Sequence, residues 1–401
     1  MKKSKILALL LAAVMVISLV GCGGSASSST PASEPASTAT STSAPASGET
    51  TGSAARVGVF YYSFSDAFIS SVRSALDEAL TSAGIEYQNF DGNSSQATQN
   101  ESITTALSDG YNVLLVNLVD TASVDAANAI IEQADAAGAQ VIFFNRAVEG
   151  DDQEGVVLNA HENVAFVGTD APEAGHLQGE MIGNYLSENF DTVDLNGDGK
   201  ISYAMFMGQV GNVEAIYRTQ YSVEDAVAIL AENGHGTADD PALVYFDANN
   251  ADGYQADQQG NWSAQAAMEY MQTNLSQYSE ANGNMIECII ANNDNMAEGA
   301  ISALQAAGYN NGEGTTTIPV FGVDATDSAK AQIANGYMTG TVEQSATGMA
   351  NALLGMVQNV SSGSTMDDAV AAVVETDAEL YSAAAEVPNK LYVAYSAYTG
   401  E

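Results

Sequence analysis

Residues 288–307 read CIIANNDNMAEGAISALQAA. Four apolar residues come first, the polar residues Asn292, Asn293 and Asp294 follow, and residues 296–307 then carry apolar side chains at helical spacing. A short apolar strand followed directly by a helix is the building unit of parallel sheets that are covered on both faces. The stretch therefore predicts an α/β protein with polar groups at the carboxyl end of a buried strand.

The same unit recurs along the chain, which predicts an α/β protein of two doubly wound parallel-sheet lobes joined by a three-crossover hinge. About 345 residues follow residue 55, too many for one such core. The other predicted strands lie at residues 57–62, 113–119, 141–144, 165–168, 201–207, 243–246, 319–323 and 338–342. Helical spacing appears at residues 68–83, 174–189 and 214–233.

We expect the chain to pass between the lobes near Asp170, Glu343 and Tyr381. The N-terminal lobe is then formed by residues 55–169 and 344–381, and the C-terminal lobe by residues 170–343 and 382–401.

Composition excludes several classes of protein. The 401 residues include 10 Lys+Arg against 50 Asp+Glu, a formal charge of −40, and 46% are hydrophobic. Binding to nucleic acid or to an anionic membrane surface needs clustered Lys and Arg, so both are excluded. Two cysteines are too few for a disulfide-stapled scaffold.

The first segment is typical of an export signal. Three lysines within the first five residues precede an apolar run at residues 6–20, and LVGC follows at residues 19–22. This pattern resembles a bacterial lipobox, which implies that residues 1–21 are removed and that Cys22 carries a lipid. An ordinary signal peptide with an incidental cysteine is the alternative. Residues 22–54, rich in Ser, Thr, Ala and Pro, predict a flexible leash. We therefore expect a protein anchored at the extracytoplasmic face of the cell membrane.

Planar polar side chains follow several predicted strands. Ligands of doubly wound sheets bind just beyond the carboxyl ends of the strands. Carboxylates accept hydrogen bonds, guanidinium groups donate them and amides do both, which suits the vicinal hydroxyls of a sugar. The aromatic planes of Phe68 and Trp262 suit its apolar C–H faces. Each polar residue alone could be a helix cap, but their recurrence predicts a sugar site. They are Asp66, Asn145, Arg146, Asn212, Glu214, Arg218, Asn293 and Asp324.

Five stretches carry a more specific resemblance. They read RVGV (residues 56–59), VIFFNR (141–146), VGTD (167–170), CIIANND (288–294) and VFGVD (320–324). In this order they resemble the bacterial galactose/glucose-binding proteins, the extracytoplasmic receptors of methyl-galactoside-type ABC transporters. The resemblance runs from about residue 55 to the C-terminus. It implies a monomeric, non-enzymatic receptor of the periplasmic binding protein-like I fold, which closes on a hexose and delivers it to permease subunits.

The resemblance also implies roles for individual residues. Sugar-hydroxyl ligands are implied at Asp66, Asn145, Arg218, Asn293 and Asp324, and stacking rings at Phe68 and Trp262. Four positions of the expected sugar site differ from the family pattern. Arg146 stands where the family usually has Lys, and Asn212 stands where it has His. Glu214 stands in place of Asp, and Gln344 in place of Asn. Because Glu and Gln are one methylene longer, galactose, glucose and a methyl-galactoside all stay open as ligands.

A second motif predicts a metal. Residues 194–202 read DLNGDGKIS, the first part of an EF-hand loop with oxygen ligands at positions 1, 3 and 5, Gly at 6 and a carbonyl at 7. Position 12 is Met205, so a helix–loop–helix EF-hand is not expected. The resemblance implies that Glu287 closes the site and that Ser202 replaces a longer amide. An Asx-rich turn without metal is the alternative. We expect structural Ca²⁺ held by Asp194, Asn196, Asp198, Lys200, Ser202 and Glu287.

Other functions remain to be weighed. A glycoside hydrolase would use paired carboxylates such as Asp66 and Asp324. A receptor for another monosaccharide, or one that reports to a chemoreceptor or other membrane sensor, would share the closed form. The lipobox, the leash and the receptor-like motifs favour a transport receptor.

Overall fold

A computed structural model describes residues 55–150 and 153–400. The expected signal peptide (residues 1–21), the leash (22–54), the lipidated Cys22 and Glu401 lie outside the described residues. Among the helices of the described part, none combines the length and the apolar character needed to cross a membrane.

Strands and helices alternate from Arg56 onwards, as the sequence predicts. The strands are β1 (Arg56–Tyr61), β2 (Glu86–Asp91), β3 (Val113–Val116), β4 (Gln140–Phe144), β5 (Val164–Gly168), β6 (Ile201–Met207), β7 (Leu243–Tyr245), β8 (Gln255–Ala256), β9 (Cys288–Ala291), β10 (Val320–Asp324), β11 (Gly340–Gln344), β12 (Tyr381–Ala383), β13 (Lys390–Val393) and β14 (Tyr395–Tyr398). The α-helices are α1 (Ala67–Ser82), α2 (Gln96–Ser108), α3 (Asp125–Ala137), α4 (Ala171–Val193), α5 (Val213–Glu232), α6 (Ala264–Leu275), α7 (Asp294–Ala306), α8 (Asp327–Ala334), α9 (Ala346–Ser361) and α10 (Met366–Val374).

Within residues 55–150 and 153–400 these strands form two seven-stranded sheets, one in each lobe. The first has the order β12-β13-β5-β4-β3-β1-β2, and the second has the order β14-β11-β10-β9-β6-β7 with β8 paired to β6. All pairs are parallel except β12 with β13 and β11 with β14. The two doubly wound parallel-sheet lobes are therefore confirmed, each with one antiparallel edge pair.

Helical periodicity explains the first lobe's core. In α1 the buried side chains Phe68, Val72, Leu76 and Leu80 recur every four residues and so form one stripe. This stripe packs against β1 and against α9, where Leu353 and Met356 are fully buried. Central strand β3 and residues 141–144 of β4 are buried on both faces, which explains their unbroken apolar sequences.

The second lobe depends on a close contact between α4 and α5. Gly175, Gly179 and Gly183 lie four residues apart on the face of α4 that meets α5. A Cβ atom placed on Gly175 would lie 2.4 Å from the backbone oxygen of Tyr217. Small residues are thus required for the two backbones to approach.

The third chain crossing lies later than the sequence predicts. Strand β13 pairs in parallel with β5, and its residues Leu391 and Val393 are fully buried in the first lobe's core. The assignment of residues 382–401 to the C-terminal lobe is therefore wrong for residues 382–393, because only β14 joins the second sheet. The three crossings follow β5 at Thr169, follow β11 at Ser345, and lie at Ala394.

Candidate functional site

A cavity with an empty volume of about 400 Å³ lies between the lobes. It is lined by Tyr62, Asp66, Phe68, Ile69, Asn145, Arg146, Asn212, Glu214, Arg218, Trp262, Asn293, Asp324 and Gln344. All eleven residues expected to bind a sugar are in this set, which means that the fold brings them together from both lobes. Tyr62 and Ile69 were not expected from the sequence.

Three of the lining residues are also helix N-caps. Asp66 Oδ1 accepts from the N–H of Ile69 at 2.8 Å, Asn212 Oδ1 from Ala215 at 3.1 Å, and Asn293 Oδ1 from Met296 at 2.9 Å. The capping and ligand-binding interpretations of these residues are therefore compatible. Each cap uses one side-chain oxygen and fixes the rotamer, and the rest of the side chain lines the cavity.

Tyr62 joins Asp66 to Arg146 on the first-lobe side. Its hydroxyl donates to Asp66 Oδ2 at 2.7 Å, and the Arg146 guanidinium lies 4.2 Å from its ring centre. The only available sequence signal was its position directly after β1, four residues before Asp66. Burial lowers the pKa of Arg146, although facing groups such as Tyr62 and Asp66 oppose that change.

Arg218 is the central cation on the second-lobe side and is 3% exposed. One terminal nitrogen donates to Glu214 Oε2 at 3.2 Å and the other to the Asn292 carbonyl at 3.0 Å. Burial raises the pKa of Asp324, with nearby Arg218 opposing the effect and Asp294 adding to it. Burial also raises the pKa of Glu214, again opposed by Arg218.

Three buried donors of the cavity have no hydrogen-bond partner among the residues that the structure describes. They are Arg146 Nε, Arg218 Nε and Gln344 Nε2. Buried donors without partners carry a free-energy cost, so they are rare unless a ligand satisfies them. The cavity is therefore suited to a ligand that offers several hydrogen-bond acceptors at once.

Three residues that line the cavity have an unusual backbone conformation. Asn145, Trp262 and Asp324 have φ values of 63°, 55° and 123°, a region that non-glycine residues seldom occupy. Trp262 is held by its surroundings, since its carbonyl accepts from the Asn293 and Asn295 amides at 3.3 and 3.2 Å. A Cβ atom on Gly208 would lie 2.1 Å from the Trp262 ring, so only glycine leaves the ring its space.

Direct contacts close the lobes over the cavity. Arg146 donates to the Gln209 side chain of the second lobe. Ser94 Oγ donates to Asn261 Oδ1 at 3.0 Å, and Asn212 Nδ2 approaches Thr121 Oγ1 at 3.5 Å. The structure is thus a closed form in which most of the lining residues are buried.

The expected metal loop is folded by its own side chains. Asp194 Oδ1 accepts from Gly197 N at 2.7 Å, and Asp194 Oδ2 accepts from Gly199 N at 2.9 Å. Asn196 Oδ1 accepts from Asp198 N at 2.8 Å, and Asp198 Oδ1 accepts from Lys200 N at 2.9 Å. These short-range bonds are typical of Asx turns.

Glu287 reaches this loop from the strand side, as the resemblance implied. Its Oε1 accepts from Leu195 N at 2.9 Å and its Oε2 from Ser202 N at 2.9 Å. Burial raises the pKa of Glu287, and the bonds from Ser202 and Leu195 oppose that change. Ser202 Oγ donates to the Met285 carbonyl at 2.6 Å, which ties it to the protein.

The loop matches the chemistry of a hard cation in part. The side-chain atoms of the loop that could coordinate an ion are all oxygens, from both neutral and ionised groups, as Ca²⁺ prefers. Within residues 55–150 and 153–400, however, no three His, Cys, Asp or Glu side chains gather in an arrangement that could hold a metal ion. The loop carboxylates bond instead to the backbone N–H groups described above.

Comparison with known proteins shows the family. Residues 57–365 match the periplasmic binding protein domain. The chain is 33% identical over 313 residues to the D-galactose/methyl-galactoside binding periplasmic protein MglB of Haemophilus influenzae, an alignment that covers 77% of this chain and 82% of that protein. It is 27% identical to a putative rhizopine-binding protein of Rhizobium meliloti, over 78% of this chain and 87% of the relative.

Solved structures share the fold. An ABC transporter solute binding protein from Bacillus halodurans with bound myo-inositol has a TM-score of 0.62 at 21% identity, covering 88% of this chain and 96% of that one. One from Clostridium phytofermentans with bound β-D-glucose has a TM-score of 0.62 at 18% identity, covering 86% and 94%. The two-lobed fold, the cleft and the family match together identify the chain as a member of the periplasmic binding protein family.

Proposed function

We propose that this protein is the extracytoplasmic substrate-binding component of an ABC sugar importer. Its two lobes close on a hexose, D-galactose, D-glucose or a methyl-galactoside, and the closed form docks to permease subunits. The observation that carries the proposal is the composition of the cavity, in which buried donors and acceptors from both lobes surround two aromatic rings.

The hydrogen-bonding groups suit a polyol. A sugar hydroxyl both donates and accepts, so it pairs with the carboxylate of Asp324 and with the unpartnered Nε atoms of Arg146 and Arg218. Phe68 and Trp262, one from each lobe, offer apolar surface to the C–H faces of the ring.

The surroundings of Asp66 favour binding over hydrolysis. A glycosidase nucleophile or base needs a carboxylate oxygen free to react. Both oxygens of Asp66 already accept, one from the Ile69 N–H and one from the Tyr62 hydroxyl. A glycosidase that uses Asp66 and Asp324 is therefore the weaker proposal, and turnover of a galactoside would support it.

The similarity to a galactose/methyl-galactoside binding protein favours a hexose. Glu214 and Gln344 are longer than the residues of the family pattern, so the preferred epimer is left to experiment. A receptor for another monosaccharide, or a sensor for a membrane chemoreceptor, would use the same cavity. We propose transport because proteins of the same fold include ABC transporter solute binding proteins.

Fluorescence of Trp262, the one tryptophan in the sequence, tests the ligand. We expect galactose or glucose to change its emission in a saturable way, and ribose and xylose to bind more weakly. Trp262→Ala should weaken binding without unfolding the protein, as followed by calorimetric titration and circular dichroism. A folded protein that responds to no hexose would disprove the assignment.

We also propose that residues 194–202 hold structural Ca²⁺. Asp194, Asn196, Asp198, the Lys200 carbonyl, Ser202 and Glu287 would hold it, and the ion would neutralise the acids of this loop. Since a ligand of the folded state raises its stability, chelation should lower the melting temperature and added Ca²⁺ should restore it. Identical melting curves with and without chelator would leave the metal-free Asx turn as the correct interpretation.

We propose that Cys22 carries a lipid that anchors the protein at the extracytoplasmic face of the cell membrane. The lipobox-like residues 19–22 and the leash support this. A Cys22→Ser chain should move from the membrane fraction to the soluble extracytoplasmic fraction. If the unaltered chain is itself soluble, the ordinary signal peptide is the better interpretation.

A further inference from the structure

Tyr395 lies at the centre of a buried network behind Arg218. The Arg218 guanidinium donates to the Tyr395 hydroxyl oxygen at 2.8 Å. That hydroxyl lies 2.9 Å from Thr169 Oγ1 and 3.1 Å from Glu214 Oε2. The four residues Thr169, Glu214, Arg218 and Tyr395 are each at most 6% exposed. We name them the hinge network.

The hinge network contacts all three crossings of the chain. Thr169 directly follows β5 and forms the first crossing. Tyr395 follows Ala394, the third crossing, and its backbone pairs with Gln344, the last residue before the second. Tyr395 therefore meets the first crossing through its side chain and the second through its backbone, and it directly follows the third.

The other side of the hinge network is the ligand cavity. Arg218 and Glu214 line it, and Arg218 Nε is one of its unpartnered donors. Glu214 already accepts from Thr169 at 3.2 Å and from Arg218 at 3.2 Å, and its Oε2 lies 3.1 Å from the Tyr395 hydroxyl, which donates to Thr169. A carboxylate has about four acceptor positions, so about half of the capacity of Glu214 is used by the protein. Glu214 is thus better placed to orient Arg218 than to hold a ligand by itself.

We infer that Tyr395 is a positioning residue whose hydroxyl couples the ligand-binding Arg218 to closure of the hinge. In the closed form a bound ligand fixes Arg218, Arg218 fixes the Tyr395 hydroxyl, and the hydroxyl holds Thr169 at the first crossing. Glu214 completes the ring of hydrogen bonds. The inference rests on the proposed function for its ligand, whereas the hinge contacts stand independently of which sugar binds.

Tyr395→Phe is the direct test, because it removes one hydroxyl and keeps the ring. Arg218 and Thr169 retain Glu214 as a partner, so the fold should persist. We expect D-galactose or D-glucose, whichever binds the unaltered protein, to dissociate about fivefold faster with little change in association rate, the loss expected for one buried hydrogen bond. Stopped-flow fluorescence of Trp262 measures both rates.

Tyr381→Phe is the matched control. Tyr381 is also a buried tyrosine, and its hydroxyl donates to the Gly348 carbonyl at 2.9 Å within the first lobe. It should lower stability by a similar amount and leave the dissociation rate unchanged. Equal effects of both changes on dissociation would show a general loss of stability and would overturn the inference.

Two further measurements keep the test independent of the ligand. Hydrogen exchange at residues 169–171, 344–346 and 393–396 should be faster in ligand-free Tyr395→Phe than in Tyr381→Phe. The double variant Thr169→Val/Tyr395→Phe should lose less free energy of unfolding than the sum of the losses in the two single variants, since both changes remove the same contact. If no sugar binds the unaltered protein, the proposed function fails. If sugar binds but exchange at the crossings and the dissociation rate match the unaltered protein, the hinge inference fails.

Discussion

The cavity and the loop at residues 194–202 were both expected from the sequence, yet they are assembled in different ways. The cavity takes six lining residues from the first lobe and seven from the second, and it buries most of them. The loop forms its Asx-turn bonds within five residues, Glu287 joins it from a distant part of the chain, and several of its residues are exposed. A desolvated site assembled by tertiary structure depends strongly on each charge, whereas a local, solvated loop does not.

The largest effect is expected from Arg218→Ala. It leaves Glu214 and Asp324 buried without their cation, at a cost of about 3–5 kcal/mol in the free energy of unfolding. Chemical denaturation measures the loss, and sugar binding should fall below detection. Arg73→Ala, in the first lobe's α1, is the control and should change neither. A stable, sugar-binding Arg218→Ala protein would contradict the central role of this cation.

Gly208→Ala should have the next largest effect, because the new methyl group displaces the Trp262 ring. Overpacking of this kind costs about 1–3 kcal/mol, so we expect sugar affinity to fall by roughly 5- to 150-fold. Calorimetric titration measures it. In a Trp262→Ala background the same glycine change should have almost no further effect, and a persistent loss there would place the cause elsewhere.

Asp198→Asn tests the loop against the cavity. The side-chain oxygen that accepts from Lys200 N is kept and a charge is removed. Without Ca²⁺ the melting temperature should therefore stay close to that of the unaltered protein. With Ca²⁺ the variant should lose most of the stabilisation, which we expect to be a few degrees. Asp240→Asn, an exposed acid that pairs with Lys200, is the control.

A pH-dependent effect is expected at Asp294, behind the cavity. Burial raises its pKa from 3.8 to about 7, with bonds from Thr341 and Thr326 opposing. Between these two values the folded protein holds a proton that the unfolded chain releases. The stabilisation of the folded state by Asp294 is therefore complete below about pH 4 and is lost as the pH rises towards 7. Because an Asn side chain does not titrate in this range, Asp294→Asn abolishes this pH-dependent loss of stability. The variant's melting temperature relative to the unaltered protein should rise from pH 4 to 7.5, and exposed Asp327→Asn provides the baseline.

Sequence reasoning located the cavity residues because they follow apolar strands and lie in recognisable stretches such as VIFFNR and IANND. It missed Tyr62 and Ile69, which read as ordinary parts of a strand end and an amphipathic helix. It also missed Thr169 and Tyr395, because their role depends on a contact between residues 226 positions apart. Such contacts leave no local pattern.

The missed strands have a similar explanation. β2 reads EYQNFD, with its side chains half-buried or exposed at a sheet edge, so it lacks the apolar run of a central strand. β12 and β14 are three and four residues long, and most of their residues are not buried. Without these strands and β13 (Lys390–Val393), which pairs with β5, the sequence placed the third crossing too early.

That late crossing has a consequence for how the chain is made. Strands β13 and β14 lie next to each other in sequence, at Lys390–Val393 and Tyr395–Tyr398, yet each completes a different sheet. During synthesis from the amino end, neither lobe can complete its sheet until residues 390–398 have emerged. The two lobes therefore mature almost together, and a chain cut short near residue 389 leaves an unpaired strand edge in both of them.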